Sequence, residues 1–287
     1  MGTANRYSGP EPSSALIPTW LEEPQQQTQV GQPSADDSSS PAHSDSRQAP
    51  GQPTVARPPL PTPAPPNRFN SARRRFNSAA ETGDGRALRR AVSSYVRRGA
   101  GGSRSATRKM GGARRATGRV IGFLQSVRTA GVEAALTNLG FAHLVGQPAE
   151  AALAALTDAF CPPGGPIDEA IVREAWDEAV LTLAEEGIVD LAEVTEHQWQ
   201  ALLVEFVTNT IEARIFNDIG PQGISLPPDI YAIDRLQADL HAIIRGAVDD
   251  AVGARLDAQR TMTQTEIQSV VDAVYDHAFA YLEALAE

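Results

Sequence analysis

The sequence predicts an all-α protein, a multi-helix body preceded by a disordered N-terminal tail and a Pro-rich tether. Three observations carry that expectation. From Phe69 onward, apolar residues recur every three or four positions, the period of one helix face. Caps and stops fall between these runs: Thr195 with Gln198 and Thr263 with Glu266 read as capping boxes, and Gly187 and Gly220 as helix ends. No segment sustains the alternation of β-branched residues that marks a strand.

Residues 1–23 begin with a polar run holding Thr3, Tyr7, Gly9 and Pro10, then an apolar cluster of Leu16, Ile17, Pro18, Trp20 and Leu21. Trp among aliphatics, in a segment that cannot bury them alone, is the pattern of a recognition peptide, although a polar tail of no consequence is the plainer alternative. Residues 24–66 are rich in Pro, Ser and Gln, with too few apolar side chains to offset chain entropy, so a disordered tether is expected. A flexible chain of that length spans about 40 Å end to end.

Residues 67–130 read as a basic helical segment. RFNSARRRFNSAAE sets Phe69, Ala72 and Phe76 on one helical face, and Gly83 ends it. DGRALRRAVSSYVRRG carries Leu88, Ala91, Val92, Tyr95 and Val96, with Gly99 as its expected stop. Gly101 and Gly102 read as a hinge before one long helix from Ser103 to Ala130. RFNSA occurs twice at a seven-residue offset, too few copies for a solenoid.

Residues 131–287 read as an acidic helical domain. GVEAALTNLG and PAEAALAALTDAF are short helices, the second with Pro148 near its start. Cys161–Pro166 is a loop, because its prolines and glycines leave no regular option. A helix from Asp168 to Glu186 carries Ile171, Trp176, Val180, Leu181 and Leu183, and Glu196–Asp218 follows. Pro227 and Pro228 mark the start of a helix reaching Leu256, and Thr263 launches the last one.

The net charge of −10 conceals strong segregation. Residues 1–67 carry a net −3, residues 68–128 a net +14, and residues 129–287 a net −21. Either the basic segment docks on the protein's own acidic half, or it meets a polyanion. The single Cys161 excludes an intramolecular disulfide and a Cys-cluster zinc site. No secretory leader pattern is present and no stretch approaches the ~18 apolar residues of a membrane span, so a cytoplasmic protein without membrane contact is expected.

Little in the sequence supports catalysis. His43, His143, His197, His241 and His277 are scattered, none at i, i+4 from another, so no metal site is expected. Cys161 has no nucleophile signature and reads as a small buried thiol. No catalytic residue and no cofactor is implied. Arg73, Arg74, Arg75, Arg89, Arg90, Arg97, Arg98, Arg114 and Arg115 are the candidate polyanion contacts. Phe69, Phe76 and Tyr95 are too few for base stacking, so any nucleic-acid contact is expected to be non-specific. Gly2 offers a different chemistry once Met1 is removed. An α-amine titrates near about 7.7–8.0 against about 10.4 for lysine, so it is substantially neutral at physiological pH. The chain has one lysine, Lys109, to compete with it. N-myristoylation of Gly2 is disfavoured by Arg6 at the sixth position.

The opening MGTANRYSGP…SSALIPTWL, the block RFNSARRRFNSA…ALRRAVSSYV, the run GGSRSATRKMGGARRATGRVIGFL and the stretch CPPGGPIDEAIVREAW…IEARIFNDIG resemble the QatB family. QatB is a component of the Qat anti-phage defence system. The resemblance covers nearly the whole chain outside the tether. It implies three partners: an ATPase, a QueC-like enzyme and a TatD-like nuclease. QueC enzymes activate the carboxylate of a deazaguanine with ATP, and their defence relatives are thought to join it to the N-terminal glycine of a partner protein. The resemblance therefore implies Gly2 as the modified residue. That Thr3 to Pro10 lie in the enzyme's groove, with Leu16 to Leu21 anchored outside it, is our inference. The expected function is a non-enzymatic defence component whose Gly2 is presented to a QueC-like partner. The alternative is a nucleic-acid-binding adaptor that recruits the defence nuclease or ATPase through the basic segment.

Overall fold

The computed structural model describes residues 67–161, 166–185, 187–220, 230–256 and 261–286. The N-terminal peptide and the tether lie outside these, as do the Pro227–Pro228 start and the inner part of the Cys161–Pro166 loop. Among the described residues the fold is all-α, with an isolated bridge between Pro148 and Asp190 as the one β feature. The helices are α1 Asn70–Thr82, α2 Gly85–Ser94, α3 Ser103–Lys109, α4 Gly111–Ala130, α5 Val132–Asn138, α6 Ala149–Ala155 and α7 Thr157–Phe160. The larger helices α8 Pro166–Glu185, α9 Glu196–Ile219, α10 Ile230–Arg255 and α11 Gln264–Ala284 follow.

The basic helices form because their apolar residues share a face. Phe76, Ala79 and Ala80 of α1 are buried, and Gly83 ends the helix in the left-handed region at φ 62°. Asp84 then caps α2, its carboxylate accepting from the Arg86 N–H at 2.9 Å. Two expectations fail here. Gly99 does not stop the run: α2 passes straight into a π-helical turn over Tyr95–Ala100, and the chain turns at Gly101 with φ 88°. The expected helix from Ser103 to Ala130 is two helices, because the chain leaves helical geometry at the buried Met110 (φ −89°, ψ 27°), just before Gly111 and Gly112. Glycine is a poor helix former, so the joint falls where helix propensity is lowest.

α9 is the central element. Every residue from Leu202 to Ile211 is buried, so the helix has no solvent face over that stretch, as expected of a helix packed on all sides. α8, α10 and α4 surround it. α11 lies along α10 and α4 and reaches α3 and α2. The basic helices and the acidic half therefore share one hydrophobic core, and the change at residue 131 is a change of charge within it. Both capping boxes are formed, at Thr195–Gln198 and Thr263–Glu266. Leu181 of α8 is 55% exposed.

An aromatic chain ties α4, α7, α8 and α9 together. Phe123 meets Phe160 at 5.4 Å, Phe160 meets Trp176 at 4.9 Å, and Trp176 meets Phe206 at 5.5 Å between ring centroids. Such tilted and edge-on pairs add to the area they bury. The Tyr275 hydroxyl sits between the Thr117 and Thr210 hydroxyls, at 3.2 and 2.9 Å, its pKa pushed up to about 12 by burial.

Candidate functional site

The chain enters its described body at Asn67, and the first aromatic residue fixes the entry. Phe69 stacks on Tyr95 with ring centroids 5.7 Å apart and planes 13° apart. The Arg68 guanidinium lies over the Phe69 ring at 4.6 Å. Gly99 is glycine because that ring occupies the place of a side chain: a Cβ there would fall 2.5 Å from the Phe69 ring. Tyr95 donates its hydroxyl to Asp218 Oδ2 at 3.0 Å, and burial, followed by the Asp218 charge, holds its pKa well above the ordinary value. Arg73 Nε donates to the Ile219 carbonyl at 2.7 Å, closing the C-terminus of α9. Gly99→Ala is expected to cost about 1–3 kcal/mol through overpacking, read as a lower urea midpoint. An unchanged midpoint would show that the ring moves freely.

All the candidate residues in the N-terminal peptide, from Gly2 to Leu21, lie outside the described residues. Lys109, the competing amine, is described. Its Nζ donates to the Ala100 carbonyl at 2.8 Å. Burial, then the nearby Arg68 charge, lowers its pKa.

The nine candidate arginines divide by orientation. Arg74, Arg75, Arg89 and Arg115 are exposed and have no ion-pair partner among the described residues. Arg90 lies 3.9 Å from Asp84 with both side chains about half exposed, a pairing worth little in water. Arg98 donates to the Ser71 hydroxyl at 3.3 Å, and Arg97 to the Glu283 carbonyl at 3.1 Å. Arg73 and Arg114 turn inward, the first to Ile219 and the second to Asp272 at 3.3 Å.

A polar cluster that the sequence reading missed lies between α9 and α10. His241 bridges two carboxylates, Nε2 to Glu205 Oε1 and Nδ1 to Glu212 Oε2, each at 3.0 Å. Arg245 Nε stands 3.6 Å from Glu205 Oε2, and Glu178 on α8 feels the same charges. Hydrogen bonds to Glu205 and Glu212 raise the His241 pKa to about 9, so the ring is an imidazolium at neutral pH. Burial pushes Glu205 up, but the hydrogen bond and charge of His241 outweigh it and hold the carboxyl below its ordinary value. Glu205 and Glu212 stand seven apart on one face of α9, as do His241 and Arg245 four apart on α10. Those spacings were visible; that the two faces meet was not.

The linkage has a definite sign. A histidine whose pKa rises on folding from about 6.5 to about 9 contributes stability fully below pH 6.5 and loses it as pH rises through 9. His241→Gln is expected to cost about 2 kcal/mol at pH 6, after discounting for the part of the ring in solvent. The gap from wild type should close in urea melts toward pH 10, and a pH-independent gap would contradict the assignment.

Cys161 is buried, its Sγ 3.7 Å from the Val172 carbonyl and its pKa pushed up to about 12 by burial, so it is a thiol rather than a nucleophile at neutral pH. Among the described residues no group of His, Cys, Asp or Glu is arranged to hold a metal ion. No described helix is long and apolar enough to cross a membrane.

The fold and these surfaces define an all-α body with a tightly anchored N-terminal entry and a basic outer face on its first helices. The family model for the Qat anti-phage system associated protein QatB matches residues 101–282, and the chain belongs to that family. It is thus a component of an anti-phage system. The match leaves α1, α2 and everything before them outside it. Comparisons with curated proteins and with solved structures gave no match.

Proposed function

We propose that this protein is a non-enzymatic member of the Qat system whose Gly2 α-amine is acylated by a QueC-like partner. The partner would activate a deazaguanine carboxylate with ATP as an acyl-adenylate. The neutral Gly2 amine attacks the carbonyl carbon, the C–O bond to AMP breaks, an amide forms and the amine proton passes to solvent. The observation that carries this reading is the state of the rival amine. Lys109 is the chain's one lysine; the residue is half-buried and its Nζ donates to the Ala100 carbonyl. An acylating enzyme is thus offered the α-amine in preference. A residue without a side chain at position 2 suits a narrow channel, and Leu16, Ile17, Trp20 and Leu21 supply apolar anchors behind it.

The test is an intact mass of the protein made with and without the QueC-like enzyme of its system. The proposal expects an added mass only in the first sample. Equal masses would refute it.

A further inference from the structure

We propose that the outer face of the α1–α2 hairpin binds the phosphate backbone of duplex nucleic acid. This surface is independent of the Gly2 reading and lies outside the residues matched by the family model. Its arginines are brought together by the fold. The Ser71 and Ser94 hydroxyls meet at 3.1 Å across the hairpin, and Arg98 donates to the same Ser71 hydroxyl at 3.3 Å. Arg98 therefore stands beside α1, where Arg74 and Arg75 follow Ser71 by about one turn. On α2, Arg86 and Arg90 lie four apart and are both exposed.

Two features select the occupant. The first is charge that the protein does not neutralise itself. Arg74, Arg75 and Arg86 have no ion-pair partner among the described residues, and Arg98 gives its hydrogen bond to a neutral hydroxyl. The segment's two acids, Glu81 and Asp84, sit at the hairpin turn, and Asp84 is engaged as the cap of α2. The acidic half meets these helices chiefly through buried apolar residues, so the alternative that it neutralises them is not what the packing provides. The guanidinium groups offer paired donors to phosphate oxygens.

The second feature is the fate of the aromatic rings. Phe69, Phe76 and Tyr95 are 7%, 1% and 1% exposed. Their burial removes these stacking platforms from the hairpin. Single-strand binders depend on such platforms, whereas duplex DNA offers a higher density of phosphate charge. The face therefore favours duplex over single strand and reads no sequence.

The experiment is fluorescence anisotropy of the full chain with a labelled random-sequence 30-base-pair duplex, titrated at several salt concentrations. Neutralising about five phosphates predicts a log–log salt slope of about −4.5. Arg74→Glu, Arg75→Glu and Arg98→Glu together should weaken binding at least about tenfold and flatten the slope by about 3. Arg255→Glu, an exposed arginine at the C-terminal end of α10, should leave both unchanged. The same three positions changed to Gln give a second variant should the Glu set lower the thermal melt. Tighter binding of an oligo(dT) strand of equal length would overturn the proposal, as would unchanged affinity in the variants. Displacement of the duplex by poly-glutamate at equal charge would assign the face to an acidic protein instead.

Discussion

Gly2→Val, and equally one residue inserted ahead of Gly2, is expected to abolish phage protection while the thermal melt of the body stays where it is. The two changes attack one requirement from different sides. Valine at position 2 is still small enough for Met1 to be removed, so an α-amine remains, but its branched side chain adds bulk to a terminus that must reach an acyl-adenylate. The insertion keeps Gly2 but converts its amine to a peptide nitrogen, which is not nucleophilic. Neither touches the described core, whose buried residues run from Phe69 to Leu282. Phage plating efficiency on cells carrying the whole system should rise to that on cells lacking it. Protection retained by both variants would remove the N-terminus from the mechanism.

Trp176→Ala is expected to cost about 3–5 kcal/mol, a large part of the about 5–15 kcal/mol that holds a domain of this kind together. Trp176 is 1% exposed, lies edge-on to Phe160 and Phe206, and donates its indole N–H to the Leu153 carbonyl at 3.1 Å. Its removal empties the junction of α6, α7, α8 and α9 and takes one donor from the Leu153 carbonyl, which keeps the Leu156 N–H at 3.1 Å. Urea denaturation should show the loss as a lower midpoint with the slope nearly unchanged. Trp176→Phe, which keeps most of the ring contact, should cost less. A loss below about 1 kcal/mol for the alanine variant would mean the junction collapses around the gap.

Local features were legible because local chemistry determines them. The Thr195 and Thr263 capping boxes need only a hydroxyl and a Gln or Glu three residues on, and both form. The apolar spacing of α1, α2 and α11 marks the faces that are buried. The misreadings share a cause of another kind. Gly99 looks like a stop until Phe69, thirty residues earlier, is found against it. α9 also carries Glu205, Thr208, Asn209 and Thr210 among its apolar residues, and its own spacing does not disclose that they are buried. Those side chains are buried because α10 brings His241 to Glu205 and α11 brings Tyr275 to Thr210. Helix pairing of this sort is not written in any single helix. The basic segment shows the same division: its charge was plain from composition, while the inward turn of Arg73 and Arg114 and the outward turn of Arg74 and Arg75 needed the packing.

The most direct measurement locates the adduct. Trypsin cleaves after Arg6 and so releases residues 2–6 as a short peptide when Met1 is removed. Tandem mass spectrometry of that peptide should place an added group on the Gly2 nitrogen, in wild type and in Lys109→Arg alike, when the protein is made beside its QueC-like partner. An unmodified Gly2 peptide, or a group found on Lys109 and lost in Lys109→Arg, would contradict the proposal.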